Sequence, residues 1–165
     1  DGWTRDIEAG TVTTVLAATP DGVVLGYATL DRGDLRWTRH VAEIRVLVDA
    51  AARDRGLGRM LLQIAFDMAL AAGVEKVMAR MTPDQVSARA LFEGLGFESE
   101  AVLRNHVRDA QGRKHDLVVL SFDTERQDLA PCDVCGGLAI TRLSLEGSQL
   151  CWSCYELAAS EIGGG

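Results

Sequence analysis

The sequence predicts an α/β fold: a mixed β-sheet flanked by helices, with a small cysteine-rich unit at its C-terminal end. Three observations carry this expectation. Short β-rich runs and two amphipathic helical segments follow one another in the order strand, strand, strand, helix, strand, helix, strand, strand. The first helix joins the third and fourth strands, which makes them a parallel crossover pair, while turn signals join other neighbours as hairpins. All four cysteines fall between positions 132 and 154, which divides the chain into an α/β domain, 1–125, and an appendage, 126–165.

Residues 11–19 (TVTTVLAAT) and 23–30 (VVLGYATL) are the first two strands, and the PDG between them is a turn in which Pro20 fixes φ and Gly22 accepts a positive one. The third strand is HVAEIRVLV, 40–48, with Val41, Ile44, Val46 and Val48 as its apolar positions. Its alternation breaks between Val41 and Ile44, which leaves the facing of Glu43 and Arg45 open. From Arg59 to Gly73 the chain reads as a helix that buries Leu61, Ile64, Ala65, Met68, Ala69 and Ala72 at three-and-four spacing. KVMARM, 76–81, is the fourth strand. In the second helix Thr82 caps, Pro83 takes the first helical position and Gln85 completes a capping box, with Val86, Ala90, Leu91 and Leu95 facing the core. AVLRNHVRD and KHDLVVLSF close the domain as a hairpin turning at Gly112.

Composition excludes several classes. The chain carries a net charge of −7, with −4 in residues 1–125 and −3 beyond, so it lacks the basic excess that phosphate-backbone binding needs and nucleic acid is not an expected partner. No apolar run approaches the roughly 20 residues of a membrane span, and no secretory signal opens the chain, so the expected location is the cytoplasm. The opening DGWTRDIEAG has no initiator Met and reads as an incomplete N-terminus.

The chemistry concentrates where the third strand runs into DAAARDRGLG and then the helix. Glycine weakens a helix by up to about 1 kcal/mol relative to alanine, yet Gly56 and Gly58 stand at this one's start. A helix N-terminus presents unpaired N–H groups and a positive dipole end, and small residues let an anion reach them, so a phosphate or pyrophosphate at 54–59 accounts for both glycines. The stretch has neither the Lys-Ser/Thr ending of a P-loop nor a GxGxxG pattern.

RDRGLG instead resembles the Arg/Gln-x-x-Gly-x-Gly/Ala signature of the GCN5-related N-acetyltransferase (GNAT) superfamily. DQVSARALFEGLGF resembles that family's Asn-x-x-Ala-x-x-Leu-Tyr-x-x-x-Gly-Phe segment, and the resemblance covers residues 11 to about 122. It implies a GNAT-type splayed mixed sheet, N-terminally incomplete, with acetyl-CoA as co-substrate. It further implies that the backbone of Val46, Leu47 and Val48 pairs with the pantetheine amides and that Asp54, Arg55, Gly56, Leu57, Gly58 and Arg59 hold the pyrophosphate. The thioester would lie in a split between 44–48 and 76–81. Gln85 stands at the family's Asn position, where it could bond the cofactor or serve only the capping box. Phe92 replaces a Tyr that many members carry as general acid; phenylalanine donates no proton, and its helical spacing reads as core. Glu43 resembles the strand Glu of the histone-acetylating branch and is the candidate general base, with partial burial expected to raise its pKa. The bland alternative is a surface Glu paired with Arg45 or Arg39.

Cys132, Cys135, Cys151 and Cys154 form two CxxC pairs separated by 15 residues. That spacing fits a four-thiolate structural zinc site, with Gly136 turning a knuckle, a hairpin over 138–150 turning at Glu146 and Gly147, and a helix over 153–162. The unit resembles a treble-clef or zinc-ribbon finger, and metal would supply much of its stability.

Together these features predict an acetyl-CoA-dependent N-acetyltransferase with a C-terminal zinc finger. Transfer to an amine acceptor, either a protein Lys or N-terminus or a small molecule, would be direct in a ternary complex, since no cysteine lies near the thioester in sequence. The competing expectation is a non-catalytic acetyl-CoA-binding or scaffold module with the finger as its protein-interaction surface.

Overall fold

Pro20 and Gly22 do form the first turn: Gly22 has φ +89° and its N–H bonds the Thr19 carbonyl at 2.9 Å. The turn joins β1 (Val12–Ala18) to β2 (Val24–Asp31) as an antiparallel hairpin that follows a short helix, α1 (Gly2–Glu8). The computed structural model describes residues 2–125, 129–134, 136, 138–140, 143–145, 147–150, 154, 155 and 158. Next come β3 (Val41–Val48), α2 (Leu57–Ala71), β4 (Lys76–Met81), α3 (Val86–Gly94), β5 (Glu98–Arg108) and β6 (Lys114–Asp123). The six strands form one sheet in the order β1-β2-β3-β4-β6-β5, so β6 and not β5 lies beside β4.

The only parallel pair in this sheet is β3 with β4, the crossover expected from the intervening helix. Its register covers Val41↔Lys76, Ala42↔Val77 and Glu43↔Met78, and beyond those residues the strands have no paired positions. A split therefore runs from Ile44 to Val48 on one side and from Ala79 to Met81 on the other. The expected split was longer, since residues 76–78 are paired.

The core lies on one face of the sheet, where Ala28, Leu30, Ala42, Ile44, Val77, Ala79, Leu120 and Phe122 meet α2 and α3. Phe66 of α2 stands edge-on to Phe122 at 4.9 Å and to Phe97 at 6.0 Å, and Phe92 of α3 stands edge-on to Phe97 at 5.1 Å. Phe92 is 4% exposed, as its helical spacing predicted.

Several expectations on the helices need correction. α2 begins at Leu57 rather than Arg59, which puts Gly58 inside its first turn. Its buried face contains Leu61, Leu62, Ala65, Phe66 and Ala69, while Ile64 is 38% exposed and Ala72 is exposed. The three-and-four pattern alone admits two stripes about one residue apart, and the volume of Phe66 between Phe97 and Phe122 decides for the other one. Helix α3 starts at Val86, after Pro83, with Val86 68% exposed and Ala90 exposed; Phe92 takes the inward position.

Gly26 was not singled out in the sequence, yet a Cβ there would sit 2.8 Å from the Leu47 carbonyl oxygen and 3.2 Å from Leu61 Cδ1. It lets α2 lie close over β2 and β3.

In the appendage, β7 (Leu129–Pro131) pairs antiparallel with β8 (Leu138–Ile140), and β9 (Leu143–Leu145) with β10 (Ser148–Leu150). The expected hairpin over 138–150 is thus shorter, because the turn after Cys132 folds 138–140 back onto 129–131 instead. Gly147 has φ +90°, as the predicted turn needs.

Candidate functional site

The site grows from the end of β3. Asp49 caps a 3-10 turn (Ala50–Ala52) by accepting the Ala51 N–H, and the chain then enters α2 through Gly56 at φ +75°. Asp54 also adopts a positive φ, 61°, and Arg53 Nε donates to the Val48 carbonyl at 3.4 Å.

The first backbone hydrogen bond of α2 runs from the Met60 N–H to the Gly56 carbonyl, and no side chain caps the helix. Among the described residues no acceptor takes the N–H groups of Leu57 and Gly58. These are the orphan donors of a helix start, left open where an anion can meet them.

The two glycines have different reasons. Gly56 is required by its left-handed φ, which other residues adopt only with strain. Gly58 is not required by the fold: a Cβ there would meet Val48 Cγ2 at 3.5 Å and Leu91 Cδ2 at 3.7 Å, ordinary van der Waals contacts. The fold therefore leaves room for a Cβ at this position.

Val46, Leu47 and Val48 lie on β3 beside the split, hydrogen-bonded on one side to β2 and without a strand partner on the other. That edge offers unpaired peptide groups to an extended ligand, by the same backbone pairing that adds a strand to a sheet. Asp54, Arg55 and Gly56 are exposed along the loop, and Leu57, Gly58 and Arg59 are half-buried at its end.

Glu43 occupies the last position of β3 paired with β4, at the head of the split. The pattern that was ambiguous in sequence resolves here: Ala42 and Ile44 face the helices, so Glu43 and Arg45 face the other way. Arg45 Nε donates to Glu43 Oε1 at 2.8 Å, and Arg80 Nη2 donates to Oε2. Burial pushes the Glu43 carboxyl up, but the hydrogen bonds from Arg45 and Arg80 outweigh it and hold the group below its ordinary value. This corrects the expected direction: partial burial does not make Glu43 a stronger base, because two guanidinium groups share its carboxylate. The partners are Arg45 and Arg80, not Arg39. The signal for Arg80 was present in KVMARM as a charged residue two positions from Met78, but only the β3–β4 register places it beside Glu43.

Gln85 Oε1 accepts the Thr82 N–H at 3.0 Å and the Thr82 hydroxyl at 3.3 Å. That is the backward half of the capping box, formed one turn ahead of α3, and it leaves the Gln85 amide nitrogen exposed to a ligand.

A cavity of about 290 Å³ opens between this turn and the tip of the β5–β6 hairpin, lined by Thr82, Asp84, Val107, Asp109, Arg113 and His115 among others. Asp109 ties its wall together by accepting His115 Nε2 at 2.9 Å and Arg113 Nε at 2.7 Å, contacts that lower its carboxyl to about 2. His115 lines this cavity, whereas His106 is exposed on β5.

In the appendage Cys132 is buried and Cys154 half-buried, and both belong to one small apolar cluster with Leu150, Tyr155 and Ala158. One cysteine of each CxxC pair is thereby brought together. The Gly136 N–H bonds the Cys132 carbonyl at 2.9 Å with Gly136 at φ +71°, a tight knuckle. Cys135 and Cys151 lie outside the described residues, as does most of the expected helix over 153–162.

Comparison with known proteins gives consistent results. The model of the acetyltransferase (GNAT) family matches residues 3–97. Over 74 residues the chain is 34% identical to the [ribosomal protein bS18]-alanine N-acetyltransferase of Salmonella typhimurium, which covers 45% of this chain and 50% of that protein. Over 61 residues it is 46% identical to the mycothiol acetyltransferase of Beutenbergia cavernae, covering 36% of this chain and 20% of that one. The chain thus spans half the length, or less, of these curated relatives. Among solved structures, the ribosomal-protein-alanine N-acetyltransferase of Brucella melitensis superposes with a TM-score of 0.67 at 26% identity, over 74% of this chain and 75% of that one. The structure of yncA from Salmonella typhimurium with its cofactor acetyl-CoA superposes with a TM-score of 0.68 at 25% identity, over 81% and 76%. No helix among the described residues is long and apolar enough to cross a membrane.

Proposed function

The chain belongs to the acetyltransferase (GNAT) family, and from that premise we propose that it is an acetyl-CoA-dependent N-acetyltransferase acting on an amine by direct transfer in a ternary complex. The observation that carries this reading is the pairing of an open β3 edge, Ile44 to Val48, with uncapped N–H groups at the start of α2. A long ligand with amides at one end of its reach and a pyrophosphate at the other matches both. Acetyl-CoA, when bound, supplies a thioester carbonyl that an amine can attack.

The residues then divide the work. Val46, Leu47 and Val48 would pair with pantetheine amides through backbone groups. Loop residues Asp54 to Arg59 would hold the pyrophosphate at the positive end of the α2 dipole. Gln85 would bond the cofactor through its amide nitrogen. Glu43 would draw the acceptor's ammonium to the head of the split and receive its proton, directly or through water. Phe92 is core and donates nothing to the leaving thiolate, which must take its proton from water or another group. In this reading the acceptor is a protein N-terminus, a Lys or a small amine. One such acceptor is named for a relative, the alanine of ribosomal protein bS18.

The test is release of CoA thiol from acetyl-CoA across a panel of amines and peptides. Turnover with at least one class is expected; tight cofactor binding with no turnover on any would favour the non-catalytic module. Gly58→Ala separates ligand demand from fold demand. Its added Cβ fits, so the unliganded protein should gain a few tenths to about 1 kcal/mol in urea unfolding. Acetyl-CoA affinity by calorimetry should fall about tenfold, the worth of one hydrogen bond or close approach. A variant that binds acetyl-CoA normally would count against the pyrophosphate at this turn.

For the appendage, we propose a structural zinc held by Cys132, Cys135, Cys151 and Cys154, with residues 126–165 a separate small unit that presents a protein-contact surface. The juxtaposition of Cys132 and Cys154 and the Gly136 knuckle support it. Purified protein should carry about one equivalent of zinc, and a chelator should expose the cysteines to thiol reagents while the sheet's circular dichroism persists. Less than about half an equivalent would sink the assignment.

A further inference from the structure

Resting on the transferase reading, we infer that Arg80, with Arg45 beside it, selects an acceptor amine that also carries a carboxylate, and disfavours polyamines and Lys-rich peptides. The argument starts from the facing of β3 and β4. Ala42, Ile44, Val77 and Ala79 are buried against the helices, so Glu43, Arg45, Met78 and Arg80 share the opposite face. Arg80 stands two residues past the last position of β4 paired with β3, on the lip of the split where, in the transferase reading, an acceptor meets the thioester.

Each guanidinium gives Glu43 only one nitrogen: Nε from Arg45 and Nη2 from Arg80. Among the described residues no acceptor takes the terminal nitrogens of Arg45, or Nε and Nη1 of Arg80. The two side chains are 58% and 40% exposed, so these donors can be reached from solvent.

Surrounding charges decide which arginine matters more. Asp31 lies opposite Glu43 on the neighbouring strand β2, and its negative charge acts on Arg45, although Asp31 Oδ1 is taken by the Gly33 N–H. Lys76 is paired with Glu100 at 2.7 Å. Two arginines against Glu43 and Asp31 make the cluster formally neutral, so it is no general anion trap. Its selectivity lies in directed donors: among the described residues Arg80 is bonded to no carboxylate but Glu43 and keeps one edge of its fork open. A carboxylate on that edge places a neighbouring ammonium against Glu43, whereas a purely cationic acceptor would meet two guanidiniums and satisfy neither.

The experiment compares glycine, β-alanine and γ-aminobutyrate with their carboxamides, and with spermidine and a Lys peptide, by CoA thiol release. The three acids span the separations of amine and carboxylate that could bridge Glu43 and Arg80. For at least one pair the acid should be preferred about tenfold or more in kcat/KM, the worth of a charge-assisted hydrogen bond. That ratio should collapse towards one in Arg80→Gln, whatever the absolute rate. Calorimetry of the same acids and carboxamides on the CoA-loaded protein should show the same ratio and the same collapse. Carboxamides or spermidine used as well as the acids, or a ratio that survives Arg80→Gln, would overturn the inference. If no amine turns over, the transferase reading fails while calorimetry still decides the selectivity.

Discussion

Replacing Glu43 by glutamine should lower kcat by about a hundredfold or more, the usual contribution of a positioned proton acceptor, while leaving acetyl-CoA affinity within about twofold. The structure separates the two functions. Glu43 sits at the head of the split, whereas the cofactor's proposed handle lies along Val46–Val48 and the start of α2, beyond the opposite end of the unpaired edge. Glutamine keeps the shape of the side chain and removes the charge that attracts an ammonium. Stability should change by less than about 1 kcal/mol, because the two arginines left behind are largely solvated.

The pH profile sharpens this test. Arg45 and Arg80 outweigh burial and hold the Glu43 pKa below its ordinary value, so the group is ionised in the folded protein throughout the neutral range. Its ion pairs contribute stability above the unfolded-state pKa of roughly 4.3 and lose it as pH falls through the lower folded value. Rising kcat/KM between pH 6 and 9 should therefore report the acceptor amine and not Glu43, and the limb should keep its position in Glu43→Gln. A wild-type limb near pH 6 to 7 that disappears in the variant would mean a carboxyl with a raised pKa, contrary to the two-arginine clamp. Unchanged kcat in Glu43→Gln would remove Glu43 from the chemistry.

Phe66→Ala should cost about 3–5 kcal/mol of stability, the range for truncating a buried phenylalanine. Phe66 is 1% exposed and holds edge contacts with both Phe97 and Phe122, so its loss opens a cavity where α2, the chain after α3 and β6 converge. Against a typical total of about 5–15 kcal/mol, that brings the domain close to its folding threshold. Urea unfolding should show a lower midpoint with an unchanged slope, and Phe66→Leu should recover most of the loss. A midpoint shift worth less than about 1 kcal/mol would mean that the aromatic cluster is not the centre of this core.

The loop at the start of α2, the proposed pyrophosphate site, carried the clearest signal in the sequence. Gly56 and Gly58 contradict helix propensity inside an otherwise strong helical pattern, and such local conflicts mark functional positions. The order of strands and helices was equally legible, because each element carries its own periodicity and its own turn signals at Pro20, Gly22, Gly73 and Gly112. Helix facing was less so. α2 has apolar residues on more than half of its circumference, and the stripe containing Leu62 and Phe66 is chosen by what lies opposite it, a contact between residues far apart in sequence. The candidate base could be named from its strand, but its electrostatics could not: Arg80 is 37 residues away along the chain.

What the sequence by itself determined is therefore local: which segments are strands and helices, that two glycines stand at the entrance to α2, and that two CxxC pairs follow the sheet domain. These depend on periodicity, turn chemistry and spacing, all of which act within a few residues. Tertiary structure alone decided where β3 and β4 part, that Gly26 is needed for backbone approach and Gly58 is not, and that Glu43 is shared by two arginines. Each of those depends on the register between strands, which the crossover through α2 sets and no short segment contains. The local signals mark the proposed donor site; the register places Arg45 and Arg80 around Glu43.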